Sequence, residues 1–285
     1  MSKRLTVPKT YKLYIGGKFP RSESGRIYPV TTAKGAFLAN ASRASRKDAR
    51  DAVSAAQAAG RSWAGATPYN RGQVLYRVAE ILEGRRAQFI DEISAQTQAS
   101  ASVASAEVDE AIDTWVWYAG WCDKFAQVAG NANPVAGPFF NISLPEPTGV
   151  VAIIAPQESA LLGLVSAIAP ALVTGNSVVA VASQQHPLSA ISLSEALATS
   201  DVPGGVVNVL TGSPAEIAPW LASHPDVHGL DLVGAGEIDW VELQIAAAET
   251  LTRVLGPESA AAAPSLHRIA AFTETKTVWH TKSLL

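Results

Sequence analysis

The residues that could do chemistry are few. The chain has one cysteine, Cys122, and five histidines, His186, His224, His228, His267 and His280. A thiolate nucleophile needs an activating base or a helix N-terminus beside it. Cys122 instead falls within a helical pattern, residues 104–125, among Trp115, Trp117, Tyr118 and Trp121. That setting describes a packed, inert thiol, and the aromatic cluster is itself the large buried area expected of a helix face rather than a ligand platform. His224 and His228 stand at a metal-ligand spacing, but Pro225 between them breaks the helix that would bring both to one side, so no metal site is expected. Gly234-Ala235-Gly236 is a lone G-x-G without a third glycine, and Glu237 follows it at the start of a helical pattern. A carboxylate there occupies the place a pyrophosphate needs, so the cradle for phosphate is weak.

The elements that would position these groups centre on residues 148–187. Val150 to Ala155 and Ser177 to Ala182 are short apolar runs rich in β-branched residues, the pattern of strands buried on both faces of a parallel sheet. Between them the stretch 159–173 is too long for a strand, and Thr174-Gly175-Asn176 stops it, which makes a βαβ unit. A third buried strand is expected at Val206 to Leu210 and a fourth at Asp231 to Val233, with helices at Pro187 to about Ala198, at Glu216 to Ser223, and from after Gly236 to about Leu251. Upstream, Tyr11 to Ile15, Lys18 to Pro20 and Ile27 to Val30 read as short strands around turns. Ser45-Arg46-Lys47-Asp48 is a capping-box-like start for a helix to about Ala58, with further helices at 71–83 and 89–96. Asn131 to Pro138 reads as a loop and Phe139 to Leu144 as an alternating strand.

At 285 residues, with 48% hydrophobic and 16% charged residues, the chain suits a globular protein with a sizeable core. A formal net charge of -3 gives no basic footprint for nucleic acid. The single cysteine allows no internal disulfide and fits a reducing compartment. The basic start MSKRLTVPKTYKLY leads into no apolar run of a secretory signal. The longest apolar run, broken by Pro170, falls short of the ~20 residues of a membrane helix, so a cytoplasmic setting is expected.

Several segments together resemble the aldehyde dehydrogenase superfamily. The first strand runs into Pro156-Gln157-Glu158 where that family has P-W-N, and GNSVVAVASQ (175–184) stands where it has G-N-x-V-V-x-K-P-S-E. YIGGKF (14–19), Trp63, VPGGVVNVLTG (202–212) and RVLGP (253–257) match further family segments. The resemblance implies an α/β fold: a Rossmann-like parallel sheet with flanking helices over residues 1–131 and 148–256. It also implies a small projecting antiparallel sheet for oligomerisation from residues 132–147 and 267–285. Residues 257–266 then form a linker in place of the catalytic domain, which carries the family's nucleophilic cysteine.

What the resemblance implies for chemistry is loss. The oxyanion asparagine falls at Glu158, the lysine that reaches the adenosine ribose at Val181, the glutamate that holds the ribose hydroxyls at Gln184, and the serine of the pyrophosphate loop at Ala235. The general-base glutamate falls at Val254. The expectation is therefore a catalytically inactive, structural or regulatory relative with no resident cofactor, NAD entering only by resemblance. Its expected partner is a full-length aldehyde dehydrogenase subunit or a second copy. The contacts would run through Phe139, Phe140, Ile142, Leu144, Thr277, Val278, Trp279 and His280. Two alternatives stand beside it: an NAD(P)-dependent oxidoreductase or nucleotide-binding module with a rebuilt site around Glu158, and a homo-oligomeric scaffold.

Overall fold

Val150–Ile154 and Ser177–Val181, buried at every residue, pair in parallel at the middle of a five-stranded sheet. The computed structural model describes residues 7–236, 238–257 and 263–282. In chain order, a hairpin of β1 (Ile27–Thr31) and β2 (Phe37–Ser42) precedes five helices: α1 (Arg46–Gly65), α2 (Pro68–Gly84), α3 (Arg86–Thr97), α4 (Ala101–Trp121) and α5 (Phe125–Ala129). Two strands follow, β3 (Asn131–Asn133) and β4 (Phe139–Pro147). Next come β5 (Val150–Ile154), α6 (Leu162–Val173), β6 (Ser177–Val181), α7 (Leu188–Ala198), β7 (Val207–Leu210), α8 (Pro214–Ala222), β8 (Gly229–Asp231), α9 (Trp240–Ala248) and β9 (Arg253–Leu255). The tail is α10 (Leu266–Ala270) and β10 (Thr273–Thr281).

The main sheet is all parallel, in the order β7-β6-β5-β8-β9. One apolar cluster, holding α2 to α4, α6 and α7, covers one face, and a second, holding α1, α8 and α9, covers the other. A second, antiparallel sheet in the order β10-β4-β3 stands apart from these clusters.

Local chemistry explains where elements begin and end. Ser45 and Asp48 form the capping box of α1: the Asp48 backbone N–H donates to Ser45 Oγ, and the Asp48 carboxylate accepts from the Ser45 N–H at 2.8 Å. The helix runs on to Gly65, beyond the expected end near Ala58. That places Trp63 inside it, buried, its Nε1–H donating to the Leu172 carbonyl at 3.2 Å. The fourth strand ends at Asp231, two residues earlier than expected, because the Asp231 carboxylate accepts from the Val233 N–H and turns the chain out of the ladder. Helix α9 stops at Ala248 and not near Leu251, which lies in the left-handed region at φ 55°.

Two expectations need correction. Part of the expected loop 131–138 is strand β3, paired with β4 and held by Asn133 Nδ2 donating to Asn141 Oδ1 at 2.6 Å and Ser143 Oγ at 2.8 Å. The tail also does not belong wholly to the projecting sheet. Residues 258–262 of the expected linker lie outside the described residues, but Ser265 caps α10 and the chain from there to Phe272 packs on the body. Ile269 and Phe272 are buried, Phe272 against Gly229, where a Cβ would stand 2.6 Å from the ring. Arg268 pairs with Asp231 at 2.5 Å, both side chains almost sealed from solvent. Asn176 Nδ2 and Arg253 donate to tail carbonyls as well, at Phe272 and Thr273 respectively. Only after this anchor does β10 leave the body. No described helix is long and apolar enough to cross a membrane.

Candidate functional site

In open α/β sheets, ligands bind outside the carboxyl ends of the strands where the strand order reverses. Here the chain moves outward from β5 to β6 and β7, then returns to the other side of β5 with β8. A cleft of about 1120 Å³ opens at that point. Its floor is Gln157 and Glu158 after β5, Gln184 to His186 after β6, Ser213 to Ala215 after β7, and Gly234 and Gly236 after β8. The hairpin strand β1 and the end of α3 wall it on the outer side.

Of the four positions singled out in the sequence, the cleft receives Glu158 and Gln184, both exposed. Val181 and Ala235 do not reach it. Both are fully buried in the apolar cluster beneath, so neither position offers a polar group. The floor is knitted from within: Gln157 Nε2 donates to the Ala155 carbonyl at 2.7 Å, and Gln157 Oε1 accepts from the Gln184 N–H at 2.9 Å. Ser183 Oγ donates to the Gln157 carbonyl at 2.6 Å. Gly234 passes so close to Ala155 that a Cβ would land on its carbonyl.

A residue the sequence did not single out sets the electrostatics. Glu107, on α4, places Oε1 at the start of α6, where it accepts from Leu161 N–H at 2.8 Å, Leu162 N–H at 3.1 Å and Ser159 Oγ at 2.8 Å. The helix N-terminus is thereby capped by a carboxylate from another element. Nothing in the local sequence at Glu107 signals this, since its partners lie more than fifty positions away. His186 sits half-buried in the cleft wall; burial pushes its pKa down, opposed in part by Glu107, so the ring is neutral at neutral pH. Glu237 lies outside the described residues. Among those described, no three metal-ligating side chains come together.

The projecting sheet is two-faced. Its register sets Phe140 opposite His280, Ile142 opposite Val278 and Leu144 opposite Lys276. Alternation therefore gathers Phe140, Ile142, Leu144, Val278 and His280 on one side. Phe140, Ile142 and Leu144 are exposed, and Val278 is half-buried. The other side carries Asn141, Ser143 and Thr277, joined by hydrogen bonds, and an edge-on pair of Phe139 and Trp279 with ring centres 5.8 Å apart. Strand β10, nine residues long, is an outer strand of this sheet.

Comparison with known proteins decides the family. Residues 19–256 match the model of the aldehyde dehydrogenase family. The chain belongs to the aldehyde dehydrogenase family. It is 32% identical over 244 residues to mouse (Mus musculus) cytosolic 10-formyltetrahydrofolate dehydrogenase, covering 83% of this chain and 27% of that one. Among solved structures it is similar to HpcC from Thermus thermophilus, with a TM-score of 0.80 and 28% identity over 86% of this chain and 47% of that one. It is equally similar, at a TM-score of 0.80 and 25% identity over 86% of this chain and 50% of that one, to an aldehyde dehydrogenase from Bacillus cereus solved as its NAD+ complex. The chain thus spans about half the length of these solved structures.

Cys122 does not line the cleft and is sealed by burial, which pushes its pKa up to about 12 despite the neighbouring Arg71. At neutral pH it is a thiol, not a thiolate. No lysine or arginine is among the described residues that line the cleft, and the carboxylate of Glu158 stands exposed in it.

Proposed function

We propose that this protein is a non-catalytic member of the aldehyde dehydrogenase family that works as a structural or regulatory subunit of a full-length aldehyde dehydrogenase in the cytoplasm. The observation that carries the reading is the content of the cleft. It presents Glu158 and Gln184, buries Val181 and Ala235, and lies apart from the one cysteine. A hydrogen bond to a charged group is worth ~1.5 to 3 kcal/mol, so losing the two charged ribose contacts at residues 181 and 184 weakens NAD by orders of magnitude.

The part retained is the arm. A nine-residue outer strand beside a row of exposed apolar side chains is a surface that another chain can extend or cover. In the family this arm meets the catalytic domain of a second subunit, which a full-length enzyme supplies. Homodimerisation through the same sheet is the fallback. Co-expression with a full-length aldehyde dehydrogenase from the same genome tests the reading: the two co-purify, and deleting residues 275–285 abolishes association while leaving the circular dichroism of the body intact. A monodisperse monomer that ignores the dehydrogenase overturns it.

A second reading, a nucleotide-binding or oxidoreductase module with a rebuilt site, draws on one observation: the cleft remains open and roomy. It requires measurable affinity for NAD or NADP.

A further inference from the structure

We infer that residues 7–11 form a strap with a single catch, Lys9, and that releasing the catch loosens the β1–β2 hairpin that walls the cleft. Residues 7–10 are exposed and make no backbone hydrogen bond to any described residue. A segment of that kind sits at the low end of local stability and is held through its side chains. Of these four, only the Lys9 side chain makes a polar contact with a described residue. From Leu13 onward the chain is fixed. Leu13 and Tyr14 are fully buried, and Tyr14 exchanges hydrogen bonds with Val209, its N–H donating at 2.9 Å and its carbonyl accepting at 2.8 Å. Between catch and anchor lies Tyr11, whose carbonyl accepts from the Ser42 N–H at 3.0 Å and so covers the edge of β2 that β1 leaves open.

The catch is electrostatic. Lys9 Nζ donates to Ser192 Oγ at 3.0 Å, pairs with Glu195 at 2.9 Å, and stands 3.9 Å from Glu92 and 4.8 Å from the centre of the Tyr11 ring. The receiving groups on α3 and α7 are already joined to one another. Ser192, itself buried, donates its hydroxyl to Glu92 Oε1 at 2.7 Å, Gln88 Nε2 donates to the same oxygen at 3.0 Å, and Arg85 holds Glu195 at 2.6 Å. Glu92 Oε2 is sealed from solvent and meets no donor among the described residues. Charge in this pocket therefore balances only with Lys9 in place: Glu92 and Glu195 against Lys9 and Arg85. An apolar side chain at position 9 leaves two carboxylates to one guanidinium and keeps away the water that would solvate them, so the strap turns outward to let water in. Tyr11 then loses the ammonium over its ring and its hold on Ser42. Thr211 Oγ still donates to the Ser42 carbonyl, so the hairpin loosens without detaching.

Amide hydrogen exchange of the full chain, read at Ser42 by mass spectrometry with fragmentation, tests the catch. Lys9→Met speeds exchange at Ser42 about tenfold or more and leaves β5 and β6 as protected as in the wild type. Adding Glu92→Gln to Lys9→Met leaves Arg85 and Glu195 as a balanced pair, and exchange at Ser42 returns to within about threefold of the wild type. Unchanged exchange at Ser42 in Lys9→Met overturns the inference. A double variant as open as the single one overturns it too, by showing that lost packing and not charge frees the strap. A rise that extends to β5 and β6 also overturns it, because the body and not the strap has then opened.

Discussion

Cys122 is the residue on which an active reading would have to stand, and its environment argues against it. The side chain is 5% exposed, its Sγ–H points to the Tyr118 carbonyl, and burial holds the thiol form up to about pH 12. Because the folded pKa is raised, the stability it contributes is fully present below about pH 9 and is lost as the pH rises toward 12. Iodoacetamide at mildly alkaline pH therefore leaves the native protein unlabelled over a time in which the denatured chain reacts fully, and rapid native labelling would contradict this. The inert cysteine was legible in the sequence because its aromatic neighbours lie within one helix. Glu107 was not, because its three partners lie in the loop after β5 and at the start of α6, more than fifty positions away, and no local pattern marks a carboxylate that caps another helix.

At the scale of elements, the strands with continuous apolar runs were readable, and the shifts came where a side chain redirects the backbone. Asp231 ends β8 by accepting from Val233, and the asparagines of β3 look like loop residues until Asn133 meets Asn141 and Ser143 across the ladder. The close passage of β8's continuation over β5 is another such feature, invisible in a lone G-x-G. A Cβ at Gly234 would overlap the Ala155 carbonyl, whereas one at Gly236 meets nothing within 4 Å. Gly234→Ala should cost several kcal/mol or prevent folding, and Gly236→Ala about 0.5 kcal/mol or less, measured by urea unfolding. Equal effects of the two substitutions would show that the backbone there relaxes freely.

For the whole molecule, family resemblance placed Phe139 to Leu144 and Thr277 to His280 in one sheet, and the observed β4–β10 ladder joins them over nine residue pairs. What resemblance could not supply was the anchor between body and arm. The Arg268–Asp231 pair and the seat of Phe272 on Gly229 depend on side chains meeting across a chain reversal, with no periodicity to announce them. That anchor buries Ile269 and Phe272 on the body before β10 begins. The proposed non-catalytic role requires that this member of the aldehyde dehydrogenase family carry out no aldehyde oxidation of its own. The most direct measurement is NADH formation, followed by its absorbance, by the purified protein with a panel of aliphatic and aromatic aldehydes and excess NAD: none above the protein-free rate is expected. Steady turnover that vanishes in Cys122→Ala would contradict it.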